Sequence, residues 1–251
     1  MILTFHQIEV QCSHHIYGVT VESLSRHLAI LQEYSAMSRL SVDFSVTFDD
    51  GHISNYRHAL PLLEARRMRA IFFVPAGLVE TRSEVMTWSQ LREAVSLGHE
   101  VASHTWSHPF LSDCDPSQLD EELSYSRQTL ENKLGVRVNA ISMPHGRWNH
   151  RIILACKNAG YERVYTSDFW RPVKVRSGID VIGRLTVRRA MTSAGVARFM
   201  NAKGTSLWKA AAPYIAKNMI RGVIGDRLYH DLWRRIFAET GVVAASDRSI
   251  S

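Results

Sequence analysis

Two carboxylates stand side by side at the end of an apolar run, Asp49 and Asp50 in Val46-Thr47-Phe48-Asp49-Asp50-Gly51. Neighbouring carboxylates at a strand end repel unless a cation or a proton is shared between them. With a metal ion the roles can divide: one carboxylate binds the ion while the other takes a proton from a water the ion acidifies. An Asp-Gly pair after a strand also reads as a hairpin turn, and the dipeptide alone does not separate the two readings. The second grouping is Ser103-His104-Thr105-Trp106-Ser107-His108-Pro109. Two imidazoles four residues apart can ligate one ion from a turn or a helix start, and a carboxylate from elsewhere completes a triad with open positions. With twelve histidines in the chain, that spacing alone is weak; its weight comes from where both groupings fall.

Both follow segments that read as strands. Short apolar, β-branched runs at 44–48, 70–75, 100–103, 138–142 and 163–167 alternate with helical patterns. The helix candidates are 21–35, with Leu24, Leu28 and Leu31 on one face, then 55–67, 87–96, 116–133 behind an Asp115-Pro116 start, and 149–158 followed by Gly160. Alternating β and α units predict a parallel sheet, closed or nearly closed, whose ligands sit at the carboxyl ends of the strands. Asp49, Asp50, His104, His145 and Asp168 all fall there. From about Gly195 the pattern changes to basic amphipathic helix, with Leu207, Trp208, Ala211, Tyr214 and Ile215, then Leu228, Leu232, Trp233 and Phe237, at helical spacing.

A chain of 251 residues with 45% apolar content can bury one α/β barrel core. Three widely separated cysteines, Cys12, Cys114 and Cys156, suggest neither a disulfide framework nor a thiolate zinc site. The opening Met1-Ile2-Leu3-Thr4-Phe5-His6 has no basic stretch or long apolar run, which predicts a cytoplasmic address. The net charge of +6 is uneven: residues 184–239 carry eleven Lys or Arg against three acids, an excess of +8, leaving −2 for the rest. Such a basic segment could face anionic lipid, a phosphorylated carrier or nucleic acid, or be a solvated helical face.

From Val42 to Asp168 the sequence resembles the polysaccharide deacetylases, the NodB-homology domain of carbohydrate esterase family four. Thr47-Phe48-Asp49-Asp50-Gly51 resembles the family's first motif, which implies that Asp49 is the catalytic base and Asp50 a metal ligand. Ser103 to His108 resembles the second, whose histidines, here His104 and His108, are the other ligands. The family's third motif has the pattern Arg-x-Pro-Tyr-Gly, and here it is Ser142-Met143-Pro144-His145-Gly146. The proline and glycine survive, so the His145 amide can still serve an oxyanion, with its ring either catalytic or filling the loop. The arginine that orients the base is gone, so either Arg147 or Arg184 reaches in from elsewhere or the base is tuned differently. The last motif, Leu-x-His, supplies a histidine that protonates the leaving amine; Gly183 to Arg188 holds none. Leu3-Thr4-Phe5-His6 resembles that motif moved to the N-terminus, as in circularly permuted members, which makes His6 the candidate general acid. Asp168 is placed to contact the sugar, support the site or cap a turn.

The resemblance implies a deformed (β/α) barrel over residues 1–194 with a basic helical extension at 195–251. It implies one divalent metal, Zn2+ foremost and Co2+ or Ni2+ as alternatives, and removal of the N-acetyl group from an amino sugar. Partners would be an N-acetylated carbohydrate and, for the extension, anionic membrane or a lipid-linked sugar, with no nucleic acid expected. An amidohydrolase of small non-sugar amides, or a glycan-binding scaffold that has lost catalysis, would use the same barrel.

Overall fold

A computed structural model describes residues 1–11, 13, 15–38, 45–170, 173–202 and 204–224. Its strands are β1 (Ile2–Phe5), β2 (Gln7–Glu9), β3 (Gly18–Thr20), β4 (Val46–Phe48), β5 (Ala70–Val74), β6 (Glu100–Ser103), β7 (Ala140–Ser142), β8 (Arg163–Thr166), β9 (Lys174–Arg176) and β10 (Ile179–Thr186). Its helices are α1 (Val21–Ser38), α2 (Leu60–Ala65), α3 (Trp88–Ser96), α4 (Pro116–Leu134), α5 (His150–Asn158), α6 (Ser193–Asn201) and α7 (Gly204–Ile224). Seven strands pair in the circular order β1, β4, β5, β6, β7, β8, β10 and back to β1, every pairing parallel. The expected α/β barrel is therefore closed. Strand β9 adds antiparallel to β10, and β2 and β3 form a separate parallel pair.

Period-two alternation sorts the strand residues between two cores. Ile71, Phe73, Ala102, Ala140, Tyr165 and Ile182, with Ile2, fill the barrel's interior. Leu3, Phe5, Val46, Phe48, Phe72, Val101, Ile141 and Val164 face outward into the layer shared with the helices. Strands buried on both sides read as continuous apolar runs, which is why Ala70–Val74 stood out in the sequence. The helices start where the sequence marks them. Thr87 with Gln90 and Asp115 with Gln118 form reciprocal capping boxes, and Asn149 caps α5 through Ile152 N–H. Gly135 ends α4 in the left-handed conformation, φ 70°.

Two of the barrel strands, β1 and β10, were absent from the alternating pattern. Strand β10 carries Asp180, Gly183 and Arg184 within its apolar run, which masks it as a strand. The helix expected over 55–67 is a π-turn, Asn55–Ala59, running into the shorter α2. The helical segment after the barrel begins at Ser193, capped by Thr192, and its second helix packs Tyr214 edge-on against Phe169, centroids 5.2 Å apart. Trp208 on the same helix is 60% exposed. The apolar stripe at Leu228, Leu232, Trp233 and Phe237 lies outside the described residues, as does Cys12. Cys114 and Cys156 are free thiols, and burial pushes the Cys156 thiol up to about 12. Among the described residues no helix is long and apolar enough to cross a membrane.

Candidate active site

The interior alternation continues past the strand ends into the site. Beyond Thr4 it brings His6 over the barrel, beyond Thr47 it brings Asp49, and beyond Ala102 it brings His104. Asp50, next to Asp49, would point the opposite way if the strand ran on. Instead Asp50 and Gly51 both turn into the left-handed region, φ 68° and 58°, so both carboxylates reach the same mouth. Thr105, His108 and His145 share that conformation, φ 68°, 65° and 56°. Non-glycine residues held there cost on the order of 1 kcal/mol each, and such strain collects at functional sites.

Asp50, His104 and His108 converge. The nearest Asp50 oxygen lies 3.3 Å from His104 Nε2 and 3.4 Å from His108 Nε2, and one ligand atom from each of the three falls within 4.8 Å of the others. Tetrahedral ligands about 2.0–2.1 Å from a zinc ion stand roughly 3.3–3.4 Å apart, so the donor set fits a small divalent cation. His104 Nδ1 lies 2.9 Å from the Ser142 carbonyl oxygen; donating to that carbonyl fixes the tautomer that turns the Nε2 lone pair toward Asp50. Burial opposes charge on all three. It raises Asp50, but the neighbouring histidines, His6 among them, outweigh it and hold that carboxyl well below the usual range. It lowers His104, but Asp50 and Asp49 outweigh it and raise its pKa above the ordinary imidazole value. Burial and then His104 push His108 down to about 4, the neutral form a metal ligand needs.

Asp49 is held apart from that trio. Arg184, on β10, donates from Nη1 to Asp49 Oδ1 and from Nη2 to Oδ2, both at 2.8 Å. The guanidinium also donates to Thr47 Oγ1 at 2.9 Å and Ser142 Oγ at 2.6 Å, and Ser142 Oγ donates to Asp49 Oδ2 at 3.1 Å. Beneath it lie the faces of Phe73 and Tyr165, 5.0 and 5.6 Å from the guanidinium carbon. Burial would raise the Asp49 carboxyl, yet Arg184 first and His104 next keep it below the ordinary carboxylate value. The open choice between Arg147 and Arg184 thus falls to Arg184. Ser142, which cannot carry the charge, ties the Asp49–Arg184 pair through its hydroxyl to His104 through its carbonyl. The sequence signal for this was an arginine in strand alignment with Ile182.

The remaining expected residues surround this centre. His6 follows β1, its ring stacked on Tyr17 with centroids 4.6 Å apart, and it stands close enough to Asp49, Asp50 and His108 to bear on their ionisation. His145 is exposed, stacked on Phe110 at 3.8 Å and edge-on to His108 at 4.6 Å. Asp168 is buried and accepts a hydrogen bond from Trp148 Nε1 at 3.1 Å.

The parallel barrel thus carries a His-His-Asp pocket and a second, arginine-held aspartate at one mouth, and comparisons with known proteins bear on both. Residues 42–164 match the profile of the polysaccharide deacetylase family. A chitooligosaccharide deacetylase of Sinorhizobium fredii is 33% identical over 149 residues, 55% of this chain and 62% of that protein. One from Bradyrhizobium sp. is 33% identical over 133 residues, 51% of this chain and 58% of that protein. The chain therefore spans about three fifths of the length of these relatives. The fold is shared with the Streptococcus pyogenes deacetylase PplD, solved with acetate, at a TM-score of 0.68 and 22% identity over 80% of this chain and 97% of that one. IcaB from Ammonifex degensii gives a TM-score of 0.64 at 24% identity, over 80% and 96% of the two chains.

Proposed function

We propose that this chain is a metal-dependent deacetylase that hydrolyses the N-acetyl group of an amino sugar in a polysaccharide, oligosaccharide or glycolipid. The observation that carries the reading is the separation of two adjacent carboxylates, Asp50 facing His104 and His108, and Asp49 gripped by Arg184. The three ligands would hold one divalent ion, zinc foremost, which when bound polarises the acetamide carbonyl and acidifies a water.

In this reading Asp49 takes the proton of the attacking water. Its low pKa keeps it ionised, and the bidentate arginine fixes the oxygens' direction. The oxyanion of the tetrahedral intermediate meets the backbone N–H of His145. His6 gives a proton to the departing nitrogen, so the C–N bond breaks to acetate and a free amine. Asp168 supports the substrate side of the mouth through Trp148. Residues 1–194 would be the catalytic unit and 195–251 a basic appendage lying against anionic lipid at the cytoplasmic face. Sedimentation with anionic vesicles that is unchanged when 195–251 are removed would count against the appendage's role.

The deciding experiment is acetate release from N-acetylglucosamine oligomers by the zinc-loaded chain, beside Asp50→Ala and His104→Ala. Metal-dependent acetate release lost in both variants supports the proposal. Bound metal with turnover only of small non-sugar amides would redirect it to an amidohydrolase, and glycan binding without bound metal would leave a scaffold.

A further inference from the structure

The segment between β1 and α1 lies outside the family-matched residues, and it is built with care. Glu9, 8% exposed, folds its carboxylate back to accept hydrogen bonds from Ser13 N–H at 2.8 Å and Ser13 Oγ at 2.5 Å. The space for it exists because residue 18 is glycine: a Cβ there would lie 2.3 Å from Glu9 Oε1. Arg189, just past β10, pins the far side, donating to Ser13 O from Nη1 at 2.6 Å and to Ile16 O from its backbone N–H at 3.0 Å. Pairing of β2 with β3 closes the base of this loop.

What the locked loop presents is Tyr17, its ring nearly parallel to that of His6, with centroids 4.6 Å apart and planes 19° apart. His6 Nδ1 is buried with no hydrogen-bond partner. A histidine that works as an acid is commonly oriented by a carboxylate or carbonyl on its second nitrogen. The contact that the His6 ring does make is the Tyr17 stack. Parallel aromatic contact at this distance favours one ring plane several-fold.

We propose that Tyr17 is the positioning residue for His6, holding the imidazole flat so that its other nitrogen faces the mouth of the site, with the Glu9–Ser13–Arg189 lock as the support of that stack. The proposal rests on the deacetylase reading for the role of His6, and on geometry alone for the stack.

The test separates proton delivery from the rest of the reaction by changing the leaving group. An acetamide needs its nitrogen protonated, whereas p-nitrophenyl acetate loses a stable phenolate without help. In the zinc-loaded chain, Tyr17→Ala is expected to lower kcat on N-acetylglucosamine oligomers about 3- to 10-fold. KM, zinc content and p-nitrophenyl acetate turnover should stay near wild type, and Tyr17→Phe, which keeps the ring, should stay near wild type on both substrates. In a His6→Ala background the Tyr17→Ala change should add little. A second readout needs no activity: in the metal-free chain with labelled histidines, the His6 ring resonances, assigned by His6→Ala, lie upfield under the Tyr17 ring. They should stay there in Tyr17→Phe and move downfield in Tyr17→Ala. Equal loss on amide and ester, or His6 resonances unmoved by Tyr17→Ala, overturns the proposal. Absence of acetamide hydrolysis in the wild type would instead sink the deacetylase reading, and the resonances would still decide whether Tyr17 sets the ring.

Discussion

Arg184 and Asp49 are 135 residues apart in the chain and meet through two parallel 2.8 Å hydrogen bonds inside the barrel, where the arginine has no exposed surface. Such a pair is worth little as net stability but is costly to halve, because the survivor is a buried charge without a partner. Arg184→Met is expected to lose about 3–5 kcal/mol of stability in denaturant titration, and the double variant Asp49→Asn/Arg184→Met to recover part of it. Arg184→Lys keeps the charge but not the fork. It should fold, bind zinc, and turn over N-acetylated oligomers at about a hundredth of the wild-type kcat.

Removing any corner of the triad has a different signature. Asp50→Ala, His104→Ala and His108→Ala should each remove stoichiometric zinc, read by elemental analysis after dialysis, while circular dichroism stays that of a folded barrel. Chelator treatment of the wild type should abolish turnover, with recovery on adding Zn2+ or Co2+.

The histidine loop leans on a glycine. A Cβ on Gly77 would lie 2.6 Å from the Trp106 indole, a rigid group that cannot swing its tip aside, while Gly77 N–H donates to Trp106 O at 2.9 Å and Ala76 N–H to Thr105 O at 3.1 Å. Gly77→Ala must therefore move the segment between His104 and His108. Zinc affinity measured by competition with a chromophoric chelator is expected to fall about tenfold or more, although residue 77 touches no ligand atom.

His27 supplies a pH dependence remote from the site. It is 1% exposed, its ring stacks on Phe5 at 6.1 Å, and neither ring nitrogen has a partner. Burial, and then Arg26, push its pKa from 6.5 down to about 4. The native state keeps the neutral form while the unfolded chain takes a proton, so stability is full above about pH 6.5 and is lost as pH falls toward 4. The loss should reach about 2–3 kcal/mol, and His27→Gln should flatten that part of the stability profile.

Legibility in the sequence followed how local each signal was. Asp49-Asp50-Gly51 and His104 to His108 each lie within a few residues at a strand end, and the five strands expected from apolar runs are present. Strand β10 was hidden because its interior position 184 holds an arginine, and that residue is the one the site needs. The partner of Asp49 was legible only as a choice among Arg147, Arg184 and a base tuned some other way, since the choice depends on which strand closes beside β1. Tyr17 gave no signal, because a stack between residues eleven apart depends on a loop whose shape is set by Glu9, Gly18 and Arg189 together.

Strand β1 is flanked by β4, made soon after it, and by β10, made far later. On the ribosome, one edge of the first strand stays bare until residues 179–186 have emerged, offering unpaired amides to any neighbour. The same late segment brings the guanidinium that Asp49 requires. Closure of the barrel and the Asp49–Arg184 pair therefore arrive together, and a truncated nascent chain ending before residue 179 has neither.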